Sequence, residues 1–174
     1  YTEPVCITGD CTLKAATIHN GEAAGVVSRT FHSHKAMGRP VSVSNTPHIS
    51  YTFACPDLLA DGIRGGYNYK NGDWAGWYGK DFEAVIDMGE GKTYGSVSIG
   101  ALIEKGDFIF NPLSLVVSVS EDGTNYTEVA KARYPVEGRN AKNGVKEYSL
   151  TFPETSARFL KVTAQTLETL PKWH

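Results

Sequence analysis

The sequence predicts an all-β protein, a β-sandwich of many short strands. Three observations predict it. First, Leu113, Leu115, Val117 and Val119 alternate with mostly small or polar residues, which makes one apolar face of a strand with period two. Second, Glu121-Asp122-Gly123-Thr124-Asn125 follows with Asp-Gly at its centre, and Tyr126 to Ala132 returns as a second strand, the pattern of a hairpin. Third, eighteen glycines and eight prolines with nine tyrosines and three tryptophans suit a loop-rich β protein. Convincing helical periodicity is absent.

Taken in order, Tyr1 to Phe31 reads as a short β segment. Cys11, Leu13, Ala15 and Thr17 alternate with Thr12, Lys14, Ala16 and Ile18. His19-Asn20-Gly21-Glu22 is a turn signal, and Gly25 to Phe31 is a second strand. This segment is too short to be a sandwich by itself. His32 to Pro40 is polar and punctuated by Gly and Pro, as a junction would be. The second unit has strands expected at Arg39–Val43, Phe82–Asp87, Tyr94–Ile103, Leu113–Ser120, Tyr126–Ala132, Val145–Phe152 and Ala157–Ala164. Long loops are expected at Asn45–Trp77 and Gly106–Pro112. The first far exceeds ordinary loop length, and such loops are commonly functional or hold small elements.

A chain of 174 residues usually holds one domain, or one with a small appendage. At this size folding hides roughly 70% of the unfolded chain's surface, so no staples are required. The net charge is -2, and no Lys/Arg run or basic stripe lies beside aromatics, so nucleic acid is not an expected partner. No apolar run approaches the ~20 residues of a membrane helix, so no membrane insertion is expected, and no signal peptide opens the chain. The opening Tyr1-Thr2-Glu3-Pro4 reads as the middle of a longer protein. Cys6 and Cys11 flank Thr8-Gly9-Asp10 and could be bridged across a hairpin, or all three cysteines, with Cys55, could be free thiols. Their spacing fits neither a CxxC zinc site nor a nucleophile with an obvious base.

Two groups of residues carry a family resemblance. The hairpin's order of Pro, apolar strand, Ser-x-Asp-Gly-x-x-Tyr and strand resembles the discoidin family, the coagulation factor V/VIII type C domains. More specifically, Leu59 to Gly66, Trp74 to Gly89, Gly106 to Pro112, Ala157 to Val162 and Leu170 to His174 resemble, in order and spacing, the C-terminal discoidin-like module of bacterial glycoside hydrolase family 20 β-N-acetylhexosaminidases. The resemblance implies a jelly-roll sandwich of the galactose-binding-domain-like type over residues 35–174. It implies that residues 1–34 are a remnant of the small β-sandwich preceding the module. The family pattern continues past the Trp-His pair into a last strand ending in an acidic residue, so this unit is expected to lack that strand. The catalytic machinery of that family, an adjacent Asp-Glu pair on a TIM barrel of ~250 residues, has no counterpart in this sequence. The resemblance therefore implies a non-catalytic module of a secreted or periplasmic bacterial enzyme, with the catalytic domain of the same polypeptide as a partner.

Candidate ligand-binding residues follow. Sugars are held by stacking an aromatic ring on a pyranose face while polar neighbours bond the hydroxyls. Trp74, Trp77 and Tyr78 form the densest aromatic cluster. Trp74 is expected in the core. Trp77 and Tyr78 point opposite ways on extended backbone, and Trp77 is taken as the exposed platform. Phe108 and Phe110 share a side by alternation and are either a second platform or a plug of the sandwich. Arg64, with five donors, suits sugar hydroxyls or an N-acetyl carbonyl, against a salt bridge to Asp61, Asp73 or Asp81. Trp173 completes the set from the closing stretch. The resemblance also places a structural calcium at the Asp61-Gly62 turn, against a plain Asp-Gly turn. Calcium there would want six to eight oxygens. His32 and His34 lack a third ligand and read as a solvated linker. Asn125-Tyr126-Thr127 is a formal glycosylation sequon at a hairpin tip.

The expected role is binding of amino-sugar- or galactose-terminated glycans near a linked catalytic barrel. Two alternatives stand beside it: a unit that only braces the barrel, and one that reaches over the barrel mouth to lend residues to its active site.

Overall fold

A computed structural model describes residues 2–174. Strands β1 (Cys11–His19) and β2 (Glu22–Phe31) form a two-stranded antiparallel ribbon. His19 pairs with Glu22 across Asn20-Gly21, whose φ angles of 52° and 83° are those of the mirror-image turn that matches strand twist. The ribbon is solvent-exposed along nearly its whole length. Of the segment Tyr1 to Phe31 read as β, residues 2–10 form no strand, and Tyr1 lies outside the described residues. All three cysteines are free thiols. The ribbon is tied to the rest by the Arg29–Asp73 ion pair at 2.9 Å and by His32 N–H donating to the Gly62 carbonyl at 2.7 Å, and its own open end is closed by Ser33 N–H donating to Asp10 at 2.7 Å.

The remaining strands are β3 (Val41–Val43), β4 (Phe82–Ile103), β5 (Ser114–Ser120), β6 (Thr127–Arg133) and β7 (Gly144–Gln165). They form one antiparallel sheet in the order β3-β4-β7-β5-β6. Two pairs of strands expected as separate are continuous. Phe82–Asp87 and Tyr94–Ile103 are the ends of β4, and Val145–Phe152 and Ala157–Ala164 lie within β7. The breaks that Gly89-Glu90-Gly91 and Pro153 suggest are bends, because they fall where the β4–β7 register shifts, between Asp87 and Lys92 and between Tyr94 and Ser96. Extra residues at such shifts turn the strand and tolerate Gly or Pro without ending the ladder.

The bend makes the sandwich. The early half of β4 and the late half of β7 lie in the five-stranded layer, and their other halves fold back over it as a ribbon. Alternation sends Ala84, Leu115, Val117, Val119, Leu160, Val162 and Ala164 into the core, where Val97, Ile99, Tyr148, Leu150 and Phe152 of the folded ribbon pack against them. Met88 and Tyr94 sit at the bend itself, both buried. The Tyr94 hydroxyl donates to the Ala157 carbonyl at 3.2 Å, and burial pushes its pKa up to about 12, so it stays neutral. The bend is clamped from outside by Arg158, which grips Asp87 with two hydrogen bonds of 3.0 and 2.8 Å, while Gly89 N–H donates to Asp87 Oδ1.

At the β5–β6 turn, Asp122 Oδ1 accepts from the Thr124 and Asn125 amides, both at 2.8 Å. These bonds, with those from the Asn125 and Ser120 side chains, hold its carboxyl far below the usual range. Outside the strands the described residues form only three short 3₁₀ turns, Ile49–Tyr51, Asp57–Ala60 and Lys105–Asp107. The first two lie in the long Asn45–Trp77 loop.

Two predictions follow. The Arg158 hydrogen bonds hold the Asp87 pKa at about 2. A depressed carboxyl contributes stability above its unfolded pKa and loses it as pH falls through the folded value. Denaturant midpoints of the native protein should therefore drop between pH 4 and pH 2, and Asp87→Asn should flatten that slope while lowering the midpoint at pH 7. Asn111 is buried, donates to the Pro135 carbonyl at 3.0 Å and accepts from Glu137 N–H at 3.0 Å. Asn111→Ala leaves both unsatisfied and should cost about 1–3 kcal/mol in urea unfolding.

Candidate functional site

The last rung of the β4–β7 ladder pairs Ile103 with Gly144. The chain leaves β4 through Glu104–Phe108 and enters β7 from Gly138–Asn143, so these two segments must emerge side by side. Their side chains interlock. Lys105 is only 6% exposed, and its ammonium donates to the Ala141 carbonyl at 2.6 Å and to Asn143 Oδ1 at 2.7 Å. Asn143 Nδ2 donates in turn to Glu104 Oε1 at 2.6 Å. The second oxygen of Glu104 accepts from the Tyr67 hydroxyl, and the Tyr69 hydroxyl donates to Asp107 at 2.7 Å. The long loop is thereby fastened to the same end of the sandwich.

The closing residues 171–174 turn onto this end, with His174 N–H donating to the Pro171 carbonyl at 2.9 Å. The His174 ring nitrogen Nε2 lies 2.8 Å from the Lys105 carbonyl. A carbonyl only accepts, which assigns the proton to Nε2. Phe108 covers the His174 ring at a centroid distance of 4.7 Å, and Phe110 lies 6.1 Å from Trp173. Between these groups is an open cleft of about 390 Å³ lined by Lys105, Gly106, Arg139, Ala141, Asn143, Trp173 and His174. An aromatic line continues along the adjoining loop: Tyr69 lies 5.9 Å from Tyr51, Tyr51 6.0 Å from His48, and His48 6.3 Å from Tyr78.

The expected site residues divide accordingly. Phe108, Phe110 and Trp173 come together at the cleft. Phe108 does not sit on a strand: its φ is +63°, and it is 61% exposed rather than a plug. Tyr78 is 82% exposed at the far end of the aromatic line. Trp77, expected as the exposed member of the pair, is the inner one. Its indole N–H donates to the Asn45 carbonyl at 2.7 Å, and its ring meets Phe82 of the core edge-on at 4.9 Å. The reason is that Phe82 opens β4 facing inward, and an indole closes that rim with its N–H satisfied.

Trp74 is half-buried on the other side of the ribbon rather than in the core. It lies over Gly65 and Gly100, with its N–H on the Gly66 carbonyl at 2.8 Å. A Cβ at Gly65 would stand 2.3 Å from the ring, so only glycine allows this approach. Arg64 pairs with Glu147 at 3.2 Å, not with the aspartates considered for it. Since Glu147 faces Gly100 across the ladder, Arg64 and Trp74 together pin the loop to the outer face of the ribbon, away from the cleft residues.

Asp61 forms a turn of its own. Its Oδ1 accepts from Ile63 N–H at 2.8 Å, and burial raises its pKa, with Asp73 adding to the effect. No cluster of three or more His, Cys, Asp or Glu able to hold a metal occurs among the described residues. Asp61 supplies one carboxylate to this turn, and the Gly62 carbonyl receives the His32 amide at 2.7 Å. His34, next along, has its pKa lowered first by burial and then by Arg64.

Lys105, Arg139, Asn143 and His174 were not among the expected ligand-binding residues. Gly138-Arg139-Asn140 reads as an ordinary polar loop. Only the Ile103–Gly144 register brings it beside Lys105.

Compared with solved structures, the chain is similar to the Ruminococcus gnavus GH29 fucosidase solved with fucose. The identity is 21% and the TM-score 0.52, over 78% of this chain and 24% of that one. It is similar to SpGH29 at 20% identity and a TM-score of 0.50, over 76% of this chain and 24% of that one. Chitosan-binding module 2 of a chitosanase/glucanase from Paenibacillus sp. IK-5, solved with chitotriose, aligns at 17% identity and a TM-score of 0.48, over 76% and 88% of the two chains. At these identities the likeness is one of fold. No curated protein matches. No helix among the described residues is long and apolar enough to cross a membrane. Residues 40–174, which hold the bent sandwich and every group that lines the cleft, match the F5/8 type C domain model, and the chain belongs to that family.

Proposed function

We propose that the chain is a non-catalytic glycan-binding module that takes a sugar in the cleft beside Lys105, Trp173 and His174. One observation carries the reading. The half-exposed Trp173 ring stands beside polar donors and acceptors (Arg139, Asn143, His174) in an open concavity at the strand end, and the exposed Phe108 packs on His174 at its edge. Rings supply apolar contact to a pyranose face, and the polar groups fix its hydroxyls. The expected ligands are amino-sugar- or galactose-terminated glycans. The expected partner is a catalytic domain of the same polypeptide, in a secreted or periplasmic bacterial enzyme. Support comes from the ordered motifs similar to family 20 hexosaminidases, and from the fold shared with about a quarter of a GH29 fucosidase. Tethered to a hydrolase, even a weak site raises the local concentration of substrate.

A bracing role has its own observation. The β1–β2 ribbon leaves Ile18, Val26 and Val27 at least 60% exposed, and a two-stranded ribbon is marginal alone. The two roles use different surfaces and are compatible.

A glycan-array screen of the folded protein, with hits measured by calorimetry, tests the reading. Trp173→Ala should weaken binding about tenfold or more, equivalent to roughly 1.4 kcal/mol, with little change in Tm. Trp77→Ala should act the other way, lowering stability by about 3 kcal/mol while the protein that remains folded still binds. Running the array with and without calcium asks whether a metal at the Asp61 turn takes part. Silence across the array from a cooperatively folded sample would leave bracing as the better account.

A further inference from the structure

We infer that the cleft selects sugars bearing an acidic group, a carboxylate or a sulfate, over their neutral parents; this rests on the glycan-binding reading above. The lining contains two cations, Lys105 and Arg139, and no Asp or Glu. Lys105 is buried, yet it makes no ion pair among the described residues. Two of its three N–H donors go to neutral acceptors, the Ala141 carbonyl and the Asn143 amide oxygen. Buried charges are ordinarily paired, because leaving water is costly. Asn143 stands between the Lys105 ammonium and the Glu104 carboxylate. Glu104 bonds to the Asn143 Nδ2 side, and its oxygens are otherwise occupied by Gly106 N–H and the Tyr67 hydroxyl.

Arg139 is exposed and makes no hydrogen bond or ion pair among the described residues, so its fork is free for a planar or tetrahedral oxyanion. The segment that carries it is nevertheless held in place. Asn111 anchors Glu137, and Glu137 accepts from Lys146 at 2.5 Å. The remaining polar wall is His174, whose Nε2 is taken by the Lys105 carbonyl. A neutral sugar would leave the cation pair without its natural complement, whereas an acidic substituent would receive one donor from Lys105 and up to two from Arg139.

The test is calorimetry on matched sets: galactose, galacturonic acid and galactose 6-sulfate, and N-acetylglucosamine with its 6-sulfate. At least one acidic sugar in a set should bind tenfold or more tighter than its neutral parent. That ratio should fall towards one in Arg139→Gln, be partly kept in Arg139→Lys, and shrink in 0.5 M salt as the charges are screened. A carboxylate-only or a sulfate-only preference would each support the inference and identify the group. Equal affinity for neutral and acidic sugars would overturn it and leave the glycan-binding reading intact. No binding by any sugar to folded protein would overturn both.

Discussion

The antiparallel pairing of β4 with β7 is the constraint on which the rest of the molecule depends. Each strand is 22 residues long, and the two lie side by side in the interior of the sheet. β3 is added on one flank and β5 with β6 on the other. Both strands also supply the second layer, since the ladder bends over its own inner face. A pairing that joins residues about sixty positions apart is entropically expensive to close and slow to form. It is held by what the bend buries, Met88, Tyr94 and Ala157, and by the Asp87–Arg158 grip outside it. Losing the register at the bend would separate the layers, because among the described residues no other strand crosses between them.

The same pairing positions the cleft. With Ile103 opposite Gly144, the residues just beyond the last rung have nowhere to go but alongside each other, and Lys105 reaches Ala141 and Asn143 as a continuation of the ladder by side chains. The folded ribbon of β4 and β7 also fixes the long loop, on its outer face. Trp74 lies over Gly100 of this face and Glu147 holds Arg64, so the long loop covers that face and delivers Tyr67 and Tyr69 to the cleft side. Arg64, Tyr67, Tyr69 and Trp74 thus anchor the loop to the sandwich.

The strands were legible because their signal is local. Period-two alternation placed Leu115, Val117 and Val119 inward, and the Asn-Gly and Asp-Gly turns fell where their φ > 0 requirements put them. The continuity of β4 and β7 was not legible, because Gly and Pro signal a break and a bulge alike, and only the partner strand decides between them. The aromatic ends of the cleft, Phe108, Phe110 and Trp173, could be picked out by residue type and family pattern. Its polar walls could not. Lys105 looks like a solvent lysine in Glu-Lys-Gly-Asp, and its burial follows from a register set some forty residues away. Trp77 and Tyr78 show the limit of alternation. It requires one to face out but cannot say which, and the choice was made by the apolar rim at Phe82.

The cleft is built stiffly for something so open. Lys105, Asn143, Glu104 and Tyr67 form a continuous chain of hydrogen bonds, and Asn111, Glu137 and Lys146 form a second chain in the segment that carries Arg139. Such networks hold donors in place before a ligand arrives, which lowers the ordering cost that otherwise consumes much of the binding energy of a small ligand. Holding a buried ammonium on neutral acceptors is a poor way to stabilise a fold, since an apolar residue of similar size would spare the desolvation. The arrangement makes physical sense if the missing counter-charge is supplied from outside, by the molecule the cleft receives.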